Sequence, residues 1–363
     1  MTAMGRVADA PLTAAFAKGS SSYAAPVWLP GGHLQTLYAA LLAPRRHVAY
    51  HRERWETPDG DFVDLDWLHT AASSEPSAVS RVSPRPLVVL FHGLEGCSAS
   101  HYAHALMSEV AREGWRGVVV HFRGCSGTPN HLPRAYHSGD TVELDWMLRR
   151  LKMSSQAALY AIGISLGGNV LLKWLGEQGD AANNIVSAAA AVSAPVDLMA
   201  AGDALGYGFN LVYTTAFLRT LKHKALAMLE RHPGLYDAAA VQRARTLRAF
   251  DDVVTAPLHG FKDTDDYWTR ASSKPGLPYI SVPTLMINAR NDPFLPAAAL
   301  PSASEVSRCV TRDFPEQGGH VGFVSGRFPG EITWVPRRVI TFMRASALLN
   351  APAAGLSHQR TVT

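Results

Sequence analysis

Short β-rich runs alternate with helical patterns along most of this chain, and this alternation constrains the fold more than any other feature. The strand-like runs cover residues 62–68, 87–91, 117–122, 157–164, 185–192, 284–288 and 308–314. The helical patterns cover residues 102–112, 142–151, 168–175, 297–306 and 336–348. Repeated units of this kind predict a mostly parallel central sheet with helices on both faces. Ligands bind such sheets at the carboxyl ends of the strands.

One segment interrupts the alternation and predicts a separate helical feature. Residues 198–275 contain no strand-like run and are typical of helices, at 211–230 and 236–250 among others. We therefore expect one α/β domain over residues 23–348, with residues 198–275 forming a helical cap or lid above the strand ends. Residues 1–22 and 349–363 are predicted to be loose termini, and residues 71–86 a surface loop, because these stretches lack hydrophobic periodicity.

Composition excludes several classes of protein. Apolar residues make up 47% and charged residues 18% of the 363 positions, which is typical of a globular protein. The net charge of +4 is small and its Lys and Arg residues are scattered, so a nucleic-acid partner is not expected. Three widely spaced cysteines, Cys97, Cys125 and Cys309, favour neither a disulfide framework nor a zinc site.

The chain is also expected to lack a membrane segment. Residues 1–16 are short and interrupted by Arg6 and Asp9, which is atypical of a signal peptide. No run of 18 uninterrupted apolar residues follows. We therefore predict a cytoplasmic protein, and the sequence leaves its oligomeric state open.

A nucleophile motif lies between one strand and one helix of the alternation. Gly163, Ile164, Ser165, Leu166 and Gly167 match G-x-S-x-G, in which small residues let a serine occupy a strained strand-to-helix turn. The motif is weak alone, since a tight turn with a helix-capping serine would look similar. Its position after residues 157–164 and before residues 168–175 favours the nucleophile elbow.

A serine nucleophile needs a base and an acid that orients the base. His320 is the predicted base because it lies in a glycine-flanked loop after the last strand-like run. Asp292 is the predicted acid, since it follows the run 284–288, and Asp197 is the alternative. The order Ser165, Asp292, His320 is the order of the α/β-hydrolase fold.

An oxyanion formed during acyl transfer needs two hydrogen-bond donors. The backbone N–H of Leu166, directly after the nucleophile, is one candidate. The loop after residues 87–90 supplies the other, for which we predict the N–H of Leu94.

Other chemistry-bearing residues have simpler interpretations. His92 is predicted to shape its loop rather than act as a base, and Cys125 to be a loop cysteine without a partner base. Asp140 is predicted to cap a helix. A metal site would have to use pairs such as His47 with His51, or His101 with His104. Neither pair has a carboxylate in a recognisable pattern, so no metal is expected.

Several further segments resemble one group of hydrolases. They are residues 26–37 (PVWLPGGHLQTL), 92–96 (HGLEG) with 100–102 (SHY), and 121–127 (HFRGCSG), together with the segments around Ser165, Asp292 and His320. In this order, over residues 23–345, they resemble the YheT-like hydrolases, bacterial relatives of the ABHD lipases and of yeast medium-chain ethyl-ester synthase and esterase proteins. The resemblance implies a carboxylic-ester hydrolase that uses Ser165, Asp292 and His320 without metal or organic cofactor.

The function predicted from these observations is hydrolysis of short- to medium-chain acyl esters through an acyl-enzyme. Two alternatives remain. An acyltransferase that passes the acyl group to an alcohol would use the same three residues, and a binding protein would have kept the fold without the activity.

Overall fold

Eight strands form one sheet in the computed structural model, which describes residues 22–69 and 85–350. The strands are β1 (Tyr50–Glu56), β2 (Phe62–Leu68), β3 (Leu87–Phe91), β4 (Arg116–Val120), β5 (Leu159–Ile164), β6 (Ala188–Val192), β7 (Thr284–Ile287) and β8 (Val310–Asp313). Their order is β1-β2-β4-β3-β5-β6-β7-β8. The β1–β2 and β2–β4 pairs are antiparallel and all other pairs are parallel, as the sequence predicts for most of the sheet.

The helices of the α/β layers cover both faces of the sheet. They are α1 (Gly32–Leu41), α2 (His101–Arg112), α3 (Thr141–Met153), α4 (Leu166–Gln178) and α10 (Trp334–Asn350). On β3, Val88 and Leu90 pack with α2 and α10, whereas Leu87, Val89 and Phe91 pack with α3 and α4. Every side chain of β3 is buried because both faces of a parallel sheet are covered.

The segment between β6 and β7 contains helices and no strand in the described part of the chain. These helices are α5 (Leu198–Leu205), α6 (Leu211–Arg231), α7 (Ala238–Arg243), α8 (Leu247–Phe250) and α9 (Thr264–Ala271). The chain continues from α8 through a π-helical turn, Asp251–Thr255, and a helical turn, Ala256–Leu258. We call residues 198–275 the helical insertion.

Two expectations about elements were wrong, and one strand was missed. Residues 297–306 form two short 3-10 turns instead of one helix, because Pro301 lacks an N–H and cannot continue a helix. The predicted helix 236–250 is broken at Ala244, whose ψ of 123° is not helical. Strand β1 was missed because its residues are mostly exposed and charged, so no apolar alternation marks it.

The predicted loose termini and surface loop lie almost entirely outside the described residues. Within those residues, no helix is long and apolar enough to cross a membrane.

Candidate active site

The turn that follows β5 holds Ser165 in a backbone conformation rare for any residue but glycine. Its φ is +51° and its ψ is −119°, and such a conformation is usually found at functional sites. The turn is also closely packed. A Cβ atom on Gly163 would lie 2.4 Å from the carbonyl oxygen of Gly167, and one on Gly167 would lie 2.4 Å from that of Phe91. The two glycines of the motif are therefore required for α4 to pack this tightly against β3 and β5.

The structure brings Ser165, His320 and Asp292 together, although they are far apart in sequence. The Nε2 atom of His320 lies 2.9 Å from Oγ of Ser165, and its Nδ1 atom lies 2.9 Å and 3.1 Å from the carboxylate oxygens of Asp292. A carboxylate can only accept, so Nδ1 carries the proton and Nε2 is free to accept one from Ser165. The side chain of Asp292 is fully buried and also accepts the N–H of Phe294.

The aromatic ring of Phe294 further restricts the imidazole. The two rings are stacked, with centroids 4.0 Å apart and an angle of 23° between their planes. Since the other side of the imidazole is fixed by Asp292, the ring of His320 has little freedom to turn away from Ser165.

Four successive backbone N–H groups of the His320 loop donate to side chains from elsewhere in the chain. Gly318 donates to Gln35, Gly319 to Asn291, His320 to Thr36 and Val321 to the hydroxyl of Ser193, at 2.7 to 3.0 Å. Sequence reasoning missed these four acceptors. The sequence feature that pointed to two of them was the G-H-L-Q-T segment. That segment supported the family resemblance, but no role was predicted for its residues. In the structure, Gln35 and Thr36 of that segment hold the loop that carries His320.

In the loop after β3, the backbone donors on either side of Leu94 have partners. The N–H of Gly93 donates to the hydroxyl of Tyr102, that of Glu95 to the hydroxyl of Tyr136, and that of Gly96 to the carbonyl of Gly93. Within the described residues, the N–H of Leu94 has no such partner. Leu166 begins α4, so its N–H has no partner within the helix. Leu94 and Leu166 line the same cavity as Ser165 and His320.

That cavity, which we call the catalytic cavity, extends from Ser165 into the helical insertion. Most of its wall is apolar and comes from the insertion, including Leu198, Ala201, Leu205, Phe217, Leu221 and Phe250. One acid lies in this wall. The carboxylate of Asp251, on the π-helical turn, accepts from Thr255 (2.6 Å) and from Trp268 (2.9 Å), and burial raises its pKa to about 6.

His92 has the loop-shaping contacts that the sequence predicts. Its Nδ1 atom donates to the carbonyl of Gly93 and its Nε2 atom accepts from the N–H of Phe122, and burial lowers its pKa to about 3. Burial raises the pKa of the Cys125 thiol to about 12, the opposite of what a thiolate nucleophile needs.

The two remaining candidates bind backbone or arginine groups. Asp197 caps α5 by accepting from Ala200, so it is not the acid beside His320. Asp140 precedes α3, but its side chain makes no capping bond and instead pairs with Arg134 at 2.8 Å. The prediction that Asp140 caps the helix was wrong, because the arginine competes for its carboxylate.

The pairs considered for a metal were His47 with His51 and His101 with His104. In the structure His47 packs against the ring of His104, and His101 bonds to the carbonyl of Val321. Among the described residues, no three His, Cys, Asp or Glu side chains are grouped to hold a metal ion.

Comparison with known proteins agrees with this architecture. Residues 86–326 match the model of the alpha/beta hydrolase fold family. YheT of Escherichia coli (strain K12), whose name proposes it as an esterase, is 40% identical over 85% of this chain and 88% of its own length. Human phospholipase ABHD3 is 29% identical over 90% of this chain and 79% of its own.

Among solved structures, an esterase from Pyrococcus furiosus, Pf2001, has the same fold. Its TM-score is 0.51 at 15% identity, with 84% of this chain and 97% of that chain covered. The family match and the 40% identity to YheT show that the chain belongs to the α/β-hydrolase family and, within it, to the YheT-like hydrolases. It is an enzyme of the esterase class.

Proposed function

We propose that this enzyme hydrolyses carboxylic esters with short- to medium-chain acyl groups, with Ser165 as nucleophile, His320 as general base and Asp292 as the acid that orients the base. One observation carries the proposal: the hydrogen bonds from Ser165 to His320 and from His320 to Asp292, each at 2.9 Å. This is the geometry that lets an imidazole remove the serine proton.

The reaction has two halves. In the first, Oγ of Ser165 attacks the ester carbonyl as its proton moves to Nε2 of His320, and the imidazolium is stabilised by Asp292. The negative charge on the carbonyl oxygen is stabilised by the N–H groups of Leu94 and Leu166, a type of interaction worth about 3 kcal/mol of barrier per donor. His320 then returns the proton to the leaving alcohol, and the acyl group stays on Ser165.

In the second half, water replaces the alcohol. His320 removes a proton from the water, the hydroxide attacks the acyl carbonyl, and the carboxylic acid leaves as Ser165 regains its proton. We propose that the helical insertion acts as a lid that keeps bulk water from the catalytic cavity, with its apolar wall holding the acyl chain. We also propose a cytoplasmic location, which three unpaired cysteines favour.

A labelling experiment tests the catalytic residues. Wild-type protein and a Ser165→Ala variant would be treated with a fluorophosphonate probe, and the labelled peptide mapped by mass spectrometry. Both proteins would then be assayed with a series of p-nitrophenyl esters. We expect labelling of Ser165 and loss of turnover in the variant, whereas turnover that survives in the variant would refute the assignment. Adding an alcohol and measuring new ester against free acid separates hydrolysis from acyl transfer.

A further inference from the structure

A second cavity adjoins the catalytic cavity inside the helical insertion. Leu221, Phe250 and Thr255 line both cavities, so these side chains form the wall between them. Beyond that wall the second cavity is bounded by α6, by residues 254 and 258, and by parts of the segment 123–136. We call it the distal cavity.

One face of α6 runs along both cavities. Phe217, Leu221, Ala225 and Met228 are spaced by four, four and three residues, which places them on the same side of a helix. Phe217 and Leu221 line the catalytic cavity, and Leu221, Ala225 and Met228 line the distal one. At 1.5 Å per residue this apolar stripe is about 16 Å long, which is enough for a long alkyl chain.

The charged residues around the distal cavity are already engaged with other groups. Lys224 forms an ion pair with Glu95 at 2.8 Å, and Arg134 forms one with Asp140 at 2.8 Å.

The two other guanidinium groups also have partners. Arg123 pairs with Glu143 at 2.6 Å and with Asp61 at 3.1 Å. Arg231 donates to the backbone carbonyls of Ala227 and Asn130. Because these cations have partners, an anionic ligand would have to displace an existing ion pair or hydrogen bond. An alkyl chain can instead pack against apolar lining residues such as Met228, Val254 and Leu258.

We propose that the distal cavity binds the outer part of the acyl chain of long-chain esters, which reaches it from Ser165 by passing between Leu221 and Phe250. Short and medium acyl chains end within the catalytic cavity. This inference rests on the proposed ester hydrolysis at Ser165, and it extends the substrate range to long-chain esters.

Filling the distal cavity tests the inference. Met228→Trp places a large side chain in that cavity without touching the catalytic one, and Ala227→Trp does so from a neighbouring position. Thr220→Trp is the matched control, because Thr220 is exposed on the same helix and lines neither cavity. For each protein, kcat/KM would be measured with p-nitrophenyl butyrate and with p-nitrophenyl dodecanoate below its aggregation concentration.

We expect the dodecanoate-to-butyrate ratio of kcat/KM to fall about tenfold or more in Met228→Trp and Ala227→Trp, since excluding even two methylene groups from an apolar site has an effect of that size. The ratio should be unchanged in Thr220→Trp. An unchanged ratio in both cavity variants, with Ser165 still labelled by the fluorophosphonate, overturns this inference alone. A wild-type protein inactive on esters of every length overturns the proposed function and this inference with it. A fall in butyrate turnover equal to that for dodecanoate would also contradict a separate distal site.

Discussion

Thr36 allows a sharp test of how the His320 loop is held. Its hydroxyl accepts the backbone N–H of His320 at 2.8 Å and donates to the carbonyl of Gly32 at 2.7 Å. Valine has nearly the same shape, so Thr36→Val removes both bonds with little change in packing. The N–H of His320 then has no acceptor, and a buried unsatisfied donor costs about 1–3 kcal/mol.

We expect much of this cost to appear as a movement of the loop. Gly318 and Gly319, both at positive φ, have no side chain to oppose a small rearrangement that gives the N–H another partner. A displacement of the reacting groups by about 1 Å can lower the rate about a hundredfold. The prediction is a fall in kcat of about 10- to 100-fold with little change in KM, because Thr36 does not line the catalytic cavity.

Controls distinguish this effect from a general loss of stability. Thr341→Val removes the same type of bond, from a hydroxyl to the carbonyl four residues earlier, on an exposed face of α10. Steady-state kinetics and urea unfolding would be measured for both variants, and the fluorophosphonate labelling rate of Ser165 should fall with kcat in Thr36→Val only. Thr36→Ser, which keeps the hydroxyl, should restore most of the rate. A folded Thr36→Val protein with wild-type kcat would refute a positioning role for this bond.

Three further predictions concern Asp292, Asp251 and Cys125. Asp292→Asn should lower kcat about 10³- to 10⁴-fold with the fold intact, because an amide no longer holds the proton on Nδ1 of His320; circular dichroism and kinetics check this, and a loss of less than tenfold contradicts it. Burial raises the pKa of Asp251 from 3.8 to about 6, so its contribution to stability falls as pH rises from about 4 to 6. Relative to wild type, Asp251→Asn should therefore gain up to about 3 kcal/mol of unfolding free energy across that range. Urea titrations in which the difference between the two proteins does not change with pH would contradict this. Cys125 should resist iodoacetamide at pH 8 in the native protein and react in urea, as mapped by mass spectrometry, because burial raises its pKa to about 12.

Buried elements of the fold could be predicted from the sequence because burial leaves a pattern. Strands β3 and β5 consist almost wholly of buried apolar residues, which is the composition of a parallel strand covered on both faces. Strand β1 has no such pattern, since it lies at the edge of the sheet and pairs its charged residues with β2. Arg52 and Arg54 of β1, for example, contact Asp66 and Asp64. These pairings depend on the register of two strands, which local sequence does not specify.

The residues of the site also divide into those that follow a local sequence pattern and those that only the fold brings together. Ser165, Asp292 and His320 could be proposed together because each follows a predicted strand, and the carboxyl ends of parallel strands meet at one edge of the sheet. Thr36 and Ser193 could not, because each contributes one hydrogen bond to a loop more than a hundred residues away. Their residue types are common in every loop and helix, so only the folded arrangement identifies them.

Close packing explains why helix α1, near the start of the described residues, contributes to the site. A Cβ atom on Gly32 would lie 2.0 Å from the carbonyl oxygen of Asn291, and one on Gly319 would lie 2.5 Å from the carbonyl oxygen of Gly32. Helix α1 therefore begins in contact with both the loop that carries Asp292 and the loop that carries His320. Because one helix touches both loops, it fixes their separation. A shift of α1 would alter the distance from Asp292 to His320, although no atom of α1 takes part in the proposed chemistry.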